Sequence, residues 1–123
     1  MIGYTRGMRV FALDCPADMR KGFDGLFALA TQTLGRDVLA GDLFLFVGKT
    51  RRRAKVLFWD GTGLCIYAKR LEGRGRFTAP WAKLMGGPIQ MTMSELSLFL
   101  EGSQLAGRMA LSPKLFVLGE QQR

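Results

Sequence analysis

Apolar residues recur at helical spacing in two segments of the chain and at strand-like spacing between them. In the first segment the last apolar position is Leu34, and it is followed by Gly35, a residue suited to a helix C-terminus. This segment predicts a helix over residues 16–34. In the second, Thr92 and Glu95 have the spacing of a capping box and predict a helix over residues 93–101. The apolar face expected for the first helix is formed by Met19, Phe23, Leu26, Phe27, Ala30 and Leu34.

Between the two helices, the apolar pattern and the turn signals predict a β-meander. The expected strands are Leu43–Val47, Ala54–Trp59, Leu64–Arg70 and Gly75–Ala79. The second and third strands are joined by Asp60–Gly63, a good tight-turn sequence, and short connections make sequential strands antiparallel neighbours. Met8–Leu13 predicts a further, N-terminal strand. We therefore expect an α+β fold: one domain over residues 1–123, with a meander of about four strands, the N-terminal strand and two main helices.

Composition excludes several classes of function. The 123 residues include no histidine, which excludes Ser-His-Asp and Cys-His nucleophile systems and zinc sites that need imidazole. The two cysteines, Cys15 and Cys65, are too few for a thiolate metal site, and we expect both to be small buried apolar residues. The longest apolar runs are five residues, so no membrane span is expected. We predict a soluble, cytoplasmic protein without a cofactor or metal.

Carboxylates are the remaining candidates for acid–base or metal chemistry. The candidates are Asp14, Asp18, Asp24 and Asp60. Asp18 and Asp24 are six residues apart, which places them about 120° apart around a helix. Helix caps, turns and salt bridges account for all four aspartates. We therefore predict no catalytic residue. An enzyme, such as a small metal-dependent nuclease that uses Asp60, is kept as an alternative function.

The net charge of +8 is concentrated in one part of the sequence. Residues 49–76 hold nine of the eighteen Lys and Arg residues and only two acids. Alternate turns of a meander lie at the same end of the sheet, so the loop 48–53 and the turn 71–74 are expected to meet. If the Asp60 turn is tight, Lys55 pairs near Ala68. We call these nine cations the basic sheet end: Lys49, Arg51, Arg52, Arg53, Lys55, Lys69, Arg70, Arg74 and Arg76.

Clustered arginines suit phosphates, because a guanidinium donates two parallel hydrogen bonds and keeps its charge. The basic sheet end is therefore predicted to contact nucleic acid, and its ligand can be duplex DNA, single-stranded DNA or RNA. An acidic protein partner is the alternative ligand. The explanation without a ligand is that the cluster is a solvated, charged face that aids solubility. Arg20, Lys21 and Asp24, on the expected outer face of the first helix, are predicted to bind a partner protein.

Several segments, in order along the chain, resemble one bacterial family. They are residues 18–26, 41–46, 51–60 and 63–72, followed by Arg76 and Phe77. The chain is similar to the TnpB, or second-reading-frame, proteins of the IS66 class of insertion sequences. It is not similar to the RNA-guided nucleases that share the TnpB name. The resemblance covers about residues 8–102 and leaves a tail, residues 103–123, that does not follow the family pattern.

The resemblance implies a non-catalytic accessory protein for transposition of a bacterial insertion sequence, encoded beside a separate transposase. It brings no established site residues, so the basic sheet end rests on the charge pattern alone. DNA and the cognate transposase are the expected partners, and the expected location is the bacterial cytoplasm, in association with the nucleoid. The alternative is a protein–protein adaptor that docks the basic sheet end on an acidic surface of the transposase. The oligomeric state is open at this point.

Overall fold

The computed structural model describes residues 8–82 and 89–102, and the predicted tail over residues 103–123 lies outside them. The strands are β1 (Val10–Ala12), β2 (Leu43–Val47), β3 (Arg53–Trp59), β4 (Leu64–Arg70) and β5 (Ile89–Met91). The helices are α1 (Phe23–Ala28), which continues as a π-helical turn (Leu29–Thr33), and α2 (Met93–Leu100). Two short 3₁₀ turns occupy Val38–Ala40 and Pro80–Ala82.

The five strands form one mixed sheet in the order β4-β3-β2-β1-β5. β2, β3 and β4 are sequential antiparallel neighbours, as predicted. β1 runs parallel to β2, because the chain crosses over one face of the sheet through α1 before it returns as β2. The α+β fold class is confirmed.

Each face of the sheet buries its own apolar cluster. Alternate strand residues point to opposite faces, so β1 and β2 contribute side chains to both clusters. On one side, the α1 face, the fully buried Leu26 and Ala30 pack against Phe44 and Phe46. On the other side, the α2 face, residues of α2 pack against a cluster that includes Leu45.

The predicted strand Gly75–Ala79 is wrong: this segment is a loop. It does not extend the meander beyond β4, but turns back across the end of the sheet. There Phe77 is fully buried and its ring stacks on Phe99, with the centroids 5.3 Å apart. Burial of an aromatic side chain stabilises by about 2–3 kcal/mol. The fifth strand is instead Ile89–Met91, which pairs antiparallel with β1.

The first helix is shorter than the predicted 16–34, because the chain around Ala17 lies alongside the end of β2 instead of forming the first helical turn. The Ala17 N–H donates to the Val47 carbonyl at 2.9 Å, and Ala17 forms a parallel bridge with Gly48. Helical hydrogen bonding begins only with the Leu26 N–H, which donates to the Gly22 carbonyl. The chain leaves the helix through a left-handed glycine, Gly35, at φ 67°, which agrees with the sequence.

The second helix begins and ends close to its predicted bounds, at Met93 and Leu100 rather than 93 and 101. The Glu95 N–H donates to the Thr92 hydroxyl at 3.1 Å, and the Thr92 N–H donates to the Glu95 carboxylate at 2.8 Å. Both halves of the capping box are therefore formed, and the predicted N-terminus is confirmed.

Candidate nucleic-acid interface

The β3–β4 hairpin carries two basic loops to the same end of the sheet. The register places Arg53 opposite Arg70, and Lys55 opposite Ala68, as the tight Asp60 turn predicts. Loop 48–53 precedes β3, and the segment 71–77 follows β4, so both loops leave the sheet side by side. The predicted meeting of the two loops is therefore present in the structure.

Arginines of the first loop hold the second loop in place. The Phe77 N–H donates to the Arg51 carbonyl at 2.7 Å, and the Arg51 guanidinium donates back to the Phe77 carbonyl at 3.3 Å. The Leu71 N–H donates to the Arg52 carbonyl at 2.7 Å, and the Arg52 guanidinium donates to the Gly73 carbonyl at 2.6 Å. These two guanidiniums are thus partly committed to positioning the loop.

Two lysines of the basic sheet end also donate to backbone carbonyls, one on each face. On the α1 face, Lys55 Nζ donates to the Lys21 carbonyl at 2.9 Å. On the α2 face, Lys69 Nζ donates to the Leu100 carbonyl at 2.7 Å. A cation at this position also interacts favourably with the negative end of the α2 dipole. Both lysines therefore connect the sheet to neighbouring backbone.

The other cations of the basic sheet end are exposed. Arg70 pairs with Glu72 at 2.8 Å, an exposed ion pair of the kind that contributes little stability. The remaining four belong to no salt bridge found within residues 8–82 and 89–102: Lys49, Arg53, Arg74 and Arg76. An open pocket of about 470 Å³ is lined by Arg51, Arg74 and Arg76. Its three guanidiniums suit a phosphate-bearing ligand.

The segment before α1 extends the basic sheet end onto the α1 face, which sequence reasoning missed. Arg20 and Lys21, predicted on a helix, lie in a turn instead, and the Lys21 carbonyl receives the Lys55 hydrogen bond. Arg20 forms a bidentate ion pair with Asp18, in which the Arg20 Nη2 and Asp18 Oδ2 atoms are 2.8 Å apart. The Arg20 side chain, and its backbone N–H, hold the pKa of Asp18 well below the usual range.

Asp24 lies in the first turn of α1 and is exposed, so the predicted partner surface is divided between this helix and the preceding turn. Its neighbour Phe23 was expected on the buried face, yet 51% of this residue is exposed. Phe23 is the first residue of α1, so its side chain lies at the helix N-terminus. An exposed aromatic residue next to Asp24 is a further candidate contact for a partner.

The carboxylate of Asp60 forms a turn. Its Oδ1 accepts hydrogen bonds from the N–H groups of Thr62 and Gly63 at 2.9 and 3.0 Å, and from the Thr62 hydroxyl at 3.0 Å. These bonds lower the pKa of Asp60 to about 2. Within the described ranges, no three His, Cys, Asp or Glu residues come close enough together to hold a metal ion.

The cysteines differ from their expected environment. Cys15 is exposed and Cys65 is half-buried, and both are free thiols. Partial burial raises the pKa of Cys65. The expectation that both are buried apolar residues is therefore wrong. In the part of the chain that the structure describes, no helix has the length and apolar character needed to cross a membrane.

Comparison with known proteins gives the family. A family model described as IS66 Orf2-like protein matches residues 8–110. The chain belongs to the IS66 Orf2-like family. The match confirms the resemblance seen over residues 8–102 and extends it to residue 110. Membership associates the chain with accessory proteins of insertion sequences, a family not known for catalysis.

Two relatives come from Sinorhizobium fredii (strain NBRC 101917 / NGR234). The first, uncharacterized protein y4jC, is 38% identical over 102 residues, which cover 83% of this chain and 85% of the relative. The second, uncharacterized protein y4hO, is 36% identical over 102 residues, covering 83% of this chain and 86% of the relative. No solved structure matches the chain.

Proposed function

We propose that this protein is a non-catalytic accessory factor for transposition, and that its basic sheet end contacts the phosphates of nucleic acid. The observation that carries the proposal is the reciprocal hydrogen bonding of Arg51 with Phe77, which keeps two basic loops side by side. Two of the carboxylates near this end, Glu72 and Asp18, are already paired with arginines. The net positive field that results favours a phosphate polymer.

Eight of the nine cations have one of two roles in this proposal, and the ninth, Arg70, is paired with Glu72. The four bonded to backbone carbonyls set the shape of the surface, and the four exposed ones that belong to no described salt bridge contact phosphates. The contacting group is Lys49, Arg53, Arg74 and Arg76. Phosphate contacts fix position but carry little sequence information, so we infer that the cognate transposase, in the bacterial cytoplasm, supplies specificity.

Fluorescence anisotropy over a salt series tests the proposal. Four phosphate contacts predict that log affinity falls with log salt at a slope of about −4 between about 50 and 300 mM salt. An insertion-sequence end duplex and a random duplex of equal length should bind equally. Single-stranded DNA and RNA of that length identify the preferred polymer.

Matched substitutions locate the surface. Arg74→Gln should weaken binding and make the slope shallower by about 1, because one phosphate contact is lost. Arg36→Gln is the control, because Arg36 is also exposed but precedes β2, at the other end of the sheet. Its guanidinium lies 4.0 Å from the centre of the Phe11 ring. Equal effects of the two substitutions would contradict a localised interface.

Absence of salt-dependent nucleic-acid binding would overturn the proposal. The adaptor function would then be tested by pull-down of the purified transposase without DNA, at low and high salt. Magnesium-dependent cleavage of supercoiled DNA that is lost in Asp60→Asn would overturn the non-catalytic part of the proposal.

A further inference from the structure

β4 is a seven-residue strand at one edge of the sheet, and no described residue pairs with its outer side. The Leu71 N–H bonds to Arg52, and the Asp60 N–H bonds to Gly63, so the β3–β4 ladder is fixed at both ends. Bonded and non-bonded pairs alternate along an antiparallel ladder. Counting this alternation from the Leu71–Arg52 bond or from the Asp60–Gly63 bond gives the same assignment of inward and outward groups along β4. The backbone N–H and C=O groups that point outward belong to Leu64, Ile66, Ala68 and Arg70.

This edge lacks the features that usually prevent strand pairing. Natural edge strands are protected by proline, bulges or charges in the middle of the strand. β4 contains no proline, and its register with β3 is one-to-one throughout. Its two charged residues, Lys69 and Arg70, lie at its end. At its centre Tyr67 is exposed on the α2 face and Ala68 on the α1 face, so both sides are open.

We propose that a second copy of this chain pairs antiparallel with the β4 edge, with the two-fold axis at Tyr67. This register overlaps all seven residues and places Tyr67 opposite Tyr67 of the second copy. Ile66 then lies opposite Ala68 of the second copy, and these residues exchange the outward hydrogen bonds. The interface is isologous, as expected for a two-fold dimer.

Charge favours a second copy over an acidic strand as the occupant. The central residues Leu64–Ala68 are uncharged, so an acidic strand would meet cations only at one end. In the two-fold register, Lys69 lies opposite Cys65 of the second copy and Arg70 opposite Leu64 of the second copy. No like charges face each other directly. The two Arg70 residues lie about 20 Å apart along the strands and the two Lys69 residues about 14 Å apart, beyond a Debye length of about 8–10 Å.

The apolar surface beside β4 adds to this pairing. A groove of about 230 Å³ on the α2 face is lined by Leu43, Val56, Phe58, Tyr67, Leu96 and Leu100. A two-fold axis perpendicular to the sheet keeps this face on the same side in both copies. The two grooves therefore become neighbours across the Tyr67 pair, and apolar surface there leaves water on pairing.

Analytical ultracentrifugation of the full chain over a roughly hundredfold concentration range tests the dimer. We expect a reversible monomer–dimer equilibrium. Ala68→Pro removes an outward N–H without affecting the β3 ladder, and it should weaken dimerisation by at least about tenfold. Ala68→Ser keeps the N–H and should dimerise normally. Circular dichroism confirms that both variants are folded.

A cysteine pair tests the register. In a Cys15→Ser, Cys65→Ser background, Tyr67→Cys places two thiols at a non-bonded pair, where Cα atoms about 4.5 Å apart allow a disulfide. Glutathione disulfide serves as the oxidant and accepts the two electrons and two protons. Covalent dimers should form with Tyr67→Cys and not with Thr62→Cys, at the exposed hairpin turn.

A chain that stays monomeric at every concentration, as it would if its own tail covered the β4 edge, overturns the dimer. A dimer that Ala68→Pro leaves intact, or equal cross-linking through Thr62→Cys, also overturns it. The Ala68→Pro variant keeps every cation of the basic sheet end. Its nucleic-acid affinity therefore tests the proposed function separately from the dimer.

Discussion

Arg51 and Phe77 are hydrogen-bonded to each other in both directions, 26 residues apart in sequence. Phe77 is anchored in the core by its stacking on Phe99. Arg51 has a left-handed backbone, with φ of 62°, a conformation that costs a non-glycine residue about 1–2 kcal/mol. The paired hydrogen bonds and the buried ring offset this strain, so the two basic loops are held together by the protein itself.

Substitution of Arg51 separates backbone strain from the guanidinium contact. Arg51→Ala loses the hydrogen bond from the guanidinium to the Phe77 carbonyl and keeps the left-handed strain. We therefore expect a loss of about 1 kcal/mol of unfolding free energy. Arg51→Gly loses the same bond but adopts the left-handed conformation freely, and it should be about 1 kcal/mol more stable than Arg51→Ala. Urea unfolding measures both variants. Equal stability of the two would contradict the left-handed conformation.

Phe77 helps to position the pocket lined by Arg51, Arg74 and Arg76 without contributing charge to it. Phe77→Ala should lose about 3–5 kcal/mol of unfolding free energy, because it leaves a cavity against Phe99. Phe77→Leu retains most of the apolar volume and should stay folded. We expect Phe77→Leu to weaken nucleic-acid binding with every cation still present, because Arg74 and Arg76 shift with the loop. Binding unchanged in a folded Phe77→Leu protein would show that the pocket does not depend on this anchor.

Features that depend on neighbouring residues were predictable from the sequence. The Asp60 turn fixes the β3–β4 register, because a short hairpin leaves the chain few alternatives. The capping box at Thr92 and Glu95 is likewise a local pattern. The meeting of the two basic loops follows from that register, so most of the candidate interface follows from the hairpin.

Features that depend on distant contacts were not predictable. Phe77 lies between small and polar residues in a segment that has the pattern of a short strand, and only the position of Phe99 makes its burial favourable. The pairing of β5 with β1 is non-local in the same way. Lys55 bonds to the backbone carbonyl of Lys21, a group that every residue type carries. No residue pattern therefore indicated that the turn before α1 joins the basic sheet end.

The capping box stabilises α2 and, through it, the α2 face of the sheet. Thr92→Ala removes the hydroxyl that accepts from the Glu95 N–H, and it should lose about 1 kcal/mol of unfolding free energy. Thr92→Ser keeps a hydroxyl at the same position and should be close to the original stability. Thermal unfolding followed by circular dichroism measures the difference. If Thr92→Ala and Thr92→Ser have equal melting temperatures, the cap does not contribute.

Asp60 makes the stability of the hairpin depend on pH in a defined window. Its pKa is lowered to about 2 in the folded protein, by hydrogen bonds from Thr62 first and then Gly63, against an ordinary value near 4. A carboxyl group whose pKa is lower in the folded state stabilises above its unfolded pKa. That contribution is lost as the pH falls from about 4 towards 2, where the folded group also takes up a proton.

Asp60→Asn isolates this contribution, because asparagine keeps an acceptor oxygen for Thr62 and Gly63 but has no charge to titrate. We expect the original protein to be the more stable of the two at pH 7, and the difference in unfolding free energy to shrink as the pH falls below about 4. Urea unfolding of both proteins across this range measures that difference. The lowered pKa of the Arg20-paired Asp18 is common to both proteins, so its contribution cancels in the difference. A difference that stays constant between pH 7 and pH 2 would mean that the Asp60 charge does not stabilise the turn.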